Sequence, residues 1–290
     1  MTLTPLDRAA VRRAFDQAAP QYDRHAVLQH EVEARLLERL DILPGDPADV
    51  LDIGCGTGGA SDAMQRRWPD ARLVALDWSL GMLGETGKRC GERVQRVCAD
   101  LLRLPLAGRR FDLVFSSLAL QWVTDLPRAL AEMRRVLRPG GLLLFTSFGP
   151  DTLRELRAAW AAVDDRPHVN EHPDLHDVGD ILVAGGFRDP VMDAERIVMD
   201  YPDPLALMRE LKAIGAHKAA RYRAAGLTGP GALKRVLAEY ERFRRDGRYP
   251  ATFEVVYGTA WGAPEGQPVR AGGGEEARFS VDALRGSRRP

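Results

Sequence analysis

Residues Leu51 to Gly59, LDIGCGTGG, run an apolar strand directly into a glycine-dense turn, and few folds accommodate such a join. Gly54, Gly56 and Gly58 permit positive φ and remove Cβ atoms that would hold a ligand away from the main chain. Ala60 to Trp68 reads as a helix whose N-terminal amides point back at the turn, so the unit forms half of a nucleotide-like site.

The spacing of the turn narrows the ligand. The dinucleotide fingerprint is G-x-G-x-x-G, whereas the order here is D-x-G-x-G-x-G. Asp52, two residues ahead of the first glycine, is a poor neighbour for a pyrophosphate. It suits a ligand carrying an ammonium group and a sulfonium, and S-adenosylmethionine carries both. A purely structural turn is the alternative at this point. Further along, ARLVALDWS is a second apolar strand ending in Asp77, where an acid accepts ribose hydroxyls, although a dehydrogenase also places one there. Val94 to Cys98 is a third strand leading to Asp100, an acceptor for an adenine amine. Phe111 to Ser116 is a fourth, and the RPGG of residues 138–141 is a tight turn feeding a fifth. Strands alternating with helices at this pitch imply a doubly wound α/β fold with a parallel sheet covered on both faces.

Four separated elements, LDIGCGTG, the Asp77 strand end, the pair Ala99 and Asp100, and LRPGG at residues 137–141, resemble in order the motifs of class I S-adenosylmethionine-dependent methyltransferases. That resemblance implies a Rossmann-like, seven-stranded, mostly parallel sheet with an N-terminal helical segment and a helical insert forming a cap. It implies S-adenosylmethionine as cofactor, with Gly54 and Gly56 at the methionine portion, Asp77 at the ribose and Asp100 at the adenine. Asp52, Cys55, Gly58, Trp78, Met82, Leu101 and Ser117 complete the expected cofactor set. FDQAAPQYDRHAVLQ from Phe15, DDRPHVN from Asp164, LMRELKAIGAH from Leu207 and YPATFEVVYGTAW from Tyr249 resemble the malonyl-acyl-carrier-protein O-methyltransferase family of biotin synthesis. This second resemblance runs from about residue 11 to 262, with Phe253, Thr259 and Lys218 departing from its pattern.

The chain of 290 residues, 45% hydrophobic, is long enough for one large domain. The expected organisation is a methyltransferase domain over 1–262, with leading helices to residue 40, a sheet core over 41–200 and 251–262, and a helical insert over 203–248. The polar, glycine-rich stretch 263–290 is expected to be a mobile tail. There is no run of eighteen apolar residues and no apolar leader, and Cys55, Cys90 and Cys98 have no metal spacing. No membrane span is therefore expected, and the cytoplasm is the expected compartment. The formal net charge is zero, yet residues 203–248 hold eleven cations against five acids. Any one of those cations fits a solvated helix face, but together they suit an acidic partner such as acyl carrier protein. Nucleic acid is not expected, because stacking aromatics are scarce there.

A malonyl carboxylate is ionised at pH 7, so no general base is required. The acceptor site then needs a few hydrogen-bond donors, at most one cation, and exclusion of water. Candidates are Tyr22 and His25 on the leading segment, Gln121 and Trp122 beyond the fourth strand, and Arg209 and Lys212 on the insert. His168, His172 and His176 are spaced four apart without a supporting cysteine, and no metal is expected. The acceptor readings are malonyl-acyl-carrier protein through the basic insert, malonyl-coenzyme A, or a small molecule such as a quinone precursor. A nicotinamide enzyme or a non-catalytic nucleotide sensor is the reading from another class.

Overall fold

The structure, a computed structural model, describes residues 7–216, 229–263, 269–271 and 274–276. Lys218, Arg221 and Arg223 of the basic insert, and most of the expected tail, lie outside the described residues.

Seven strands form one sheet: β1 (Asp49–Ile53), β2 (Arg72–Asp77), β3 (Val94–Cys98), β4 (Phe111–Ser116), β5 (Leu137–Phe148), β6 (Phe187–Tyr201) and β7 (Tyr249–Gly262). Their order is β3-β2-β1-β4-β5-β7-β6. The first five pair in parallel, and β7 runs antiparallel to both of its neighbours. This is the doubly wound, mostly parallel sheet read from the sequence. Alternation along the central strands explains why both faces are covered. Val50, Leu113, Phe115, Leu142 and Leu144 enter one core, while Leu51, Ile53, Val114, Leu143 and Phe145 enter the other.

The first core is closed by α3 (Val27–Glu38), α4 (Gly59–Arg67), α5 (Leu80–Cys90), α7 (Arg154–Ala161), α9 (Pro204–Ala213) and α10 (Pro230–Tyr240). The second is closed by α6 (Leu126–Val136) and α8 (Leu175–Ala184). Leu28, Val32, Leu36 and Leu40, four apart on one face, are all buried in the first core. Asp125 caps α6 by accepting the Arg128 amide at 3.0 Å, and Pro127 sits in the first turn where no amide is needed.

Residues 138–141, expected as a turn, instead form a bulge inside β5. The register with β4 jumps from Phe111–Leu137 to Leu113–Leu142, and Gly140 takes φ +73°. Ahead of the sheet lie α1 (Arg8–Ala18) and α2 (Tyr22–His25). Within the expected tail, β8 (Val269–Ala271) and β9 (Gly274–Glu276) form a short antiparallel ladder. No helix among the described residues is long and apolar enough to cross a membrane.

Candidate active site

The chain order reverses at β1, whose neighbours are β2 and β4, and a cavity of about 960 Å³ opens beyond the carboxyl ends of these strands. Its floor includes Gly54 and Gly56 after β1, Asp77 and Trp78 after β2, Asp100 and Leu101 after β3. Ser117 and Leu118, after β4, complete it.

The glycine turn is held from below. The Gly54 and Cys55 amides donate to the Leu76 carbonyl at 2.7 and 3.1 Å, and the Thr86 hydroxyl donates to the Gly56 carbonyl at 2.8 Å. A Cβ on Gly54, at φ +72°, would stand 2.3 Å from the Ala119 side chain. At Gly56, φ +54°, a Cβ would meet nothing within 4 Å, because that position faces open space. Gly56 therefore keeps the cradle clear for a ligand, whereas Gly54 allows close packing.

Asp77 completes the cradle. Its Oδ2 accepts the Gly56 amide at 3.1 Å and its Oδ1 accepts the Ser79 amide at 2.8 Å. Burial pushes its carboxyl up to about 6, against the lowering influence of the Ser79, Gly56 and Trp78 amides. Each oxygen keeps a second lone pair for a ribose hydroxyl. Next to it, Asp100 accepts the Leu102 amide at 2.9 Å and pairs with Arg8 Nη2 at 2.6 Å. The Arg8 guanidinium lies 5.3 Å from the Trp78 ring centroid, so α1 reaches over the expected adenine end. Arg8 was not among the residues read from the sequence.

Several expected residues have other places. Asp52 is buried beneath the turn and outside the cavity lining, accepting the Ser61 hydroxyl at 2.5 Å. Burial, then the charge of Asp77, pushes it up to about 7, with Ser61 opposing. It ties the turn to α4 and does not line the main cavity. Cys55 is buried beside Thr86, and burial raises its thiol well above the ordinary value. Gly58 packs on Thr86, away from the main cavity. Met82 lines the cavity. Beside the turn, a side pocket of about 40 Å³ is lined by Cys55, Thr57, Tyr22 and an unexpected acid, Glu33. Burial and the charge of Asp52 push Glu33 up to about 7.

Towards the acceptor side, Tyr22, Gln121 and Trp122 line the cavity and His25 does not. Burial, followed by the charges of Glu33, Asp77 and Asp23, raises the Tyr22 phenol well above its usual range, so it stays protonated. Gln121 Nε2 donates to the Leu118 carbonyl at 2.6 Å, leaving a buried Oε1 without a partner among the described residues. An orphaned acceptor in a cavity wall fits a ligand donor. Leu118 itself takes φ +47°, local strain of the kind stored at binding sites. Trp122 meets Phe15 of α1 edge-on at 5.3 Å, which brings the leading helix onto the acceptor wall.

The insert contributes differently from expectation. Met208, Leu211 and Ile214 line the cavity, while Arg209 and Lys212 are exposed on the other face of α9. Arg209 turns back to Asp203 at 3.3 Å. The far wall comes from Phe148, Trp160, Phe253 and the loop that follows α7, including Arg166, His168 and His172. Burial, then the charge of Arg157, lowers His172 to about 4, so it is neutral at pH 7. The described residues hold no group of three or more His, Cys, Asp or Glu placed to bind a metal.

Residues 51–145 match the family described as "Methyltransferase domain". The chain is 50% identical over 265 residues to the malonyl-[acyl-carrier protein] O-methyltransferase of Methylovorus sp., spanning 88% of this chain and 89% of that one. It is 48% identical over 288 residues to the protein of the same name from Halorhodospira halophila, spanning 98% and 97%. Its fold is similar to that of Haemonchus contortus phosphoethanolamine N-methyltransferase 2 in complex with S-adenosyl-L-methionine, with TM-score 0.51 and 21% identity over 80% of this chain and 52% of that one.

The fold and its cradle define a class I methyltransferase, an enzyme class that takes its methyl group from S-adenosylmethionine. Among these enzymes, the chain belongs to the malonyl-[acyl-carrier protein] O-methyltransferase family.

Proposed function

We propose that the protein methylates the free carboxylate of a malonyl thioester on acyl carrier protein, giving the malonyl methyl ester that primes pimeloyl synthesis for biotin. Near-50% identity to enzymes of that name across almost the whole chain carries this reading. The domain is read as residues 1–262, with 203–248 as its basic insert and 263–290 as a tail.

The distribution of charge in the cavity supports it. Both carboxylates that line the main cavity, Asp77 and Asp100, belong to the cofactor half. The described lining of the acceptor half holds no Asp or Glu, so an anionic acceptor meets no like charge there. S-adenosylmethionine, when bound, supplies a methyl group on a positively charged sulfur. Gly56 and Asp77 would hold it at the cradle, with Arg8 and Trp78 closing the adenine end. The acceptor arrives ionised, so the protonated Tyr22 hydroxyl need only orient it while the wall around Trp122 keeps water out. No residue has to remove a proton.

The basic insert is read as the landing surface for the acidic carrier. Arg242 and Arg244 are engaged by Glu239 and Glu241, at 3.7 and 3.0 Å. Lys234 and Arg235 are exposed on α10 without a carboxylate partner among the described residues. Malonyl-coenzyme A would share the acceptor pocket but not this surface.

Mass spectrometry of malonyl-acyl-carrier protein, incubated with the enzyme and S-adenosylmethionine, tests the reading. A gain of one methyl group on the malonyl moiety is expected. An unmodified carrier alongside a methylated quinone precursor would replace this reading with the small-molecule one.

A further inference from the structure

Of the arginines and lysines that line the cavity, the described residues include two, Arg8 and Arg166. Arg8 is committed to Asp100 at the cofactor end. The Arg166 guanidinium makes no direct hydrogen bond or ion pair among the described residues; its charge acts at longer range on Asp164, which does not line the cavity, and Arg166 itself belongs to the acceptor half. We propose that Arg166 is the anchor for the acceptor's carboxylate, a role that rests on the carboxylate-acceptor reading above.

The loop that presents Arg166 is built rather than loose. Asp164 Oδ1 accepts the Arg166 amide at 3.0 Å and stands 2.8 Å from His168 Nε2. His168 in turn stacks on Trp160 of α7, ring centroids 3.6 Å apart and 11° from parallel. The backbone on both sides of Arg166 is therefore pinned to a helix, which fixes where the guanidinium emerges. Arg166 is exposed to solvent, so a bound thioester arm would cover the pair and strengthen it. A planar guanidinium matches a carboxylate with two parallel hydrogen bonds, which an ammonium does not. It leaves the carboxylate ionised, as methyl acceptance requires.

The phosphate of a phosphopantetheine arm is the other anion that arrives with this substrate. Malonyl and acetyl carrier proteins share that phosphate and differ at the carboxylate, so they separate the two. Affinities of both for the S-adenosylhomocysteine-loaded enzyme would be measured by calorimetry for wild type, Arg166→Gln and Arg166→Lys. Arg166→Gln should weaken malonyl-carrier protein about 10-fold or more and leave acetyl-carrier protein unchanged. Arg166→Lys should recover part of the loss, and S-adenosylhomocysteine affinity should hold in all three, which checks folding. Equal weakening of both carriers would assign Arg166 to the phosphate and overturn the proposal, as would unchanged binding of both. A wild-type enzyme that fails to methylate malonyl-carrier protein would instead remove the reading beneath it.

Discussion

Asp16 on the leading helix α1 accepts the Ser79 hydroxyl at 2.6 Å and the Gly81 amide at 3.0 Å, which caps α5 from outside. Ser79 also donates its amide to Asp77, so the leading helix and the ribose carboxylate share one neighbour. Asp16→Ala is expected to lower stability by about 1 kcal/mol, as loss of a cap does. It should also weaken S-adenosylhomocysteine several-fold by freeing α1, and Asp16→Asn should keep most of both. Denaturant melts and calorimetry check this. Wild-type affinity in Asp16→Ala would mean that the Phe15–Trp122 and Arg8–Asp100 contacts seat the helix without it.

Asp77→Ala should weaken S-adenosylhomocysteine strongly, since each hydrogen bond to a charged acceptor contributes about 1.5 to 3 kcal/mol. With its carboxyl at about 6 in the free enzyme, wild-type affinity should fall as pH drops through 6, because the acceptor form is lost. Asp77→Asn should bind weakly and without that pH dependence. Calorimetry between about pH 5 and 8 reads both effects.

The chemical step should be insensitive to pH. With a carboxylate acceptor, the single-turnover rate at saturating substrates should be flat from about pH 6.5 to 8.5. Tyr22 stays protonated and His172 stays neutral across that range. A rise with a midpoint near 7 that persists in Glu33→Gln and Asp52→Asn would reveal a required base and refute the carboxylate acceptor.

Asp52 sets a stability slope. Its folded-state carboxyl, at about 7, lies above the ordinary value of 3.8, so the native protein holds a proton that the unfolded chain releases. Its contribution is therefore fully present below about pH 4 and lost as pH rises through 7. Asp52→Asn, which cannot ionise, should gain stability relative to wild type between pH 5 and 8. A difference that stays constant with pH would contradict the buried-acid account.

Reversing the charge of Lys234 and Arg235 should raise the KM for malonyl-carrier protein and flatten its salt dependence, with less effect on malonyl-coenzyme A. S-adenosylhomocysteine affinity should not change. Equal losses for both thioesters would place these cations elsewhere than on a carrier-protein surface.

The cofactor half was legible because it is local. Gly54, Gly56, Asp77 and Asp100 follow directly on strand ends, and the parallel sheet gathers strand ends at one edge. The acceptor half was less so, for two reasons. On α9 the apolar spacing of Leu207, Met208, Leu211 and Ile214 already named the inward face, and Arg209 and Lys212 lie off it. The apolar spacing, and not the charge of the acceptor, decides which face of α9 turns inward. Arg166 and His172 sit in a loop without a repeat, and their placement depends on Trp160 and Phe148, distant in sequence or visible only in the fold. Glu33 breaks no pattern on α3; its raised carboxyl comes from burial and then from the charge of Asp52 beneath the turn, neither of which is visible in the α3 sequence.

The antiparallel strand β7 has a consequence for how the chain comes together. It lies between β5 and β6, so among the described residues β6 has no other ladder partner and β5 keeps an unpaired side until residues 249–262 arrive. During synthesis, two sticky backbone edges must wait while the whole basic insert is made. The final closure joins segments far apart along the chain, which makes it the slow, long-range event of folding. Until then the nascent molecule is at its most vulnerable to pairing with a stranger.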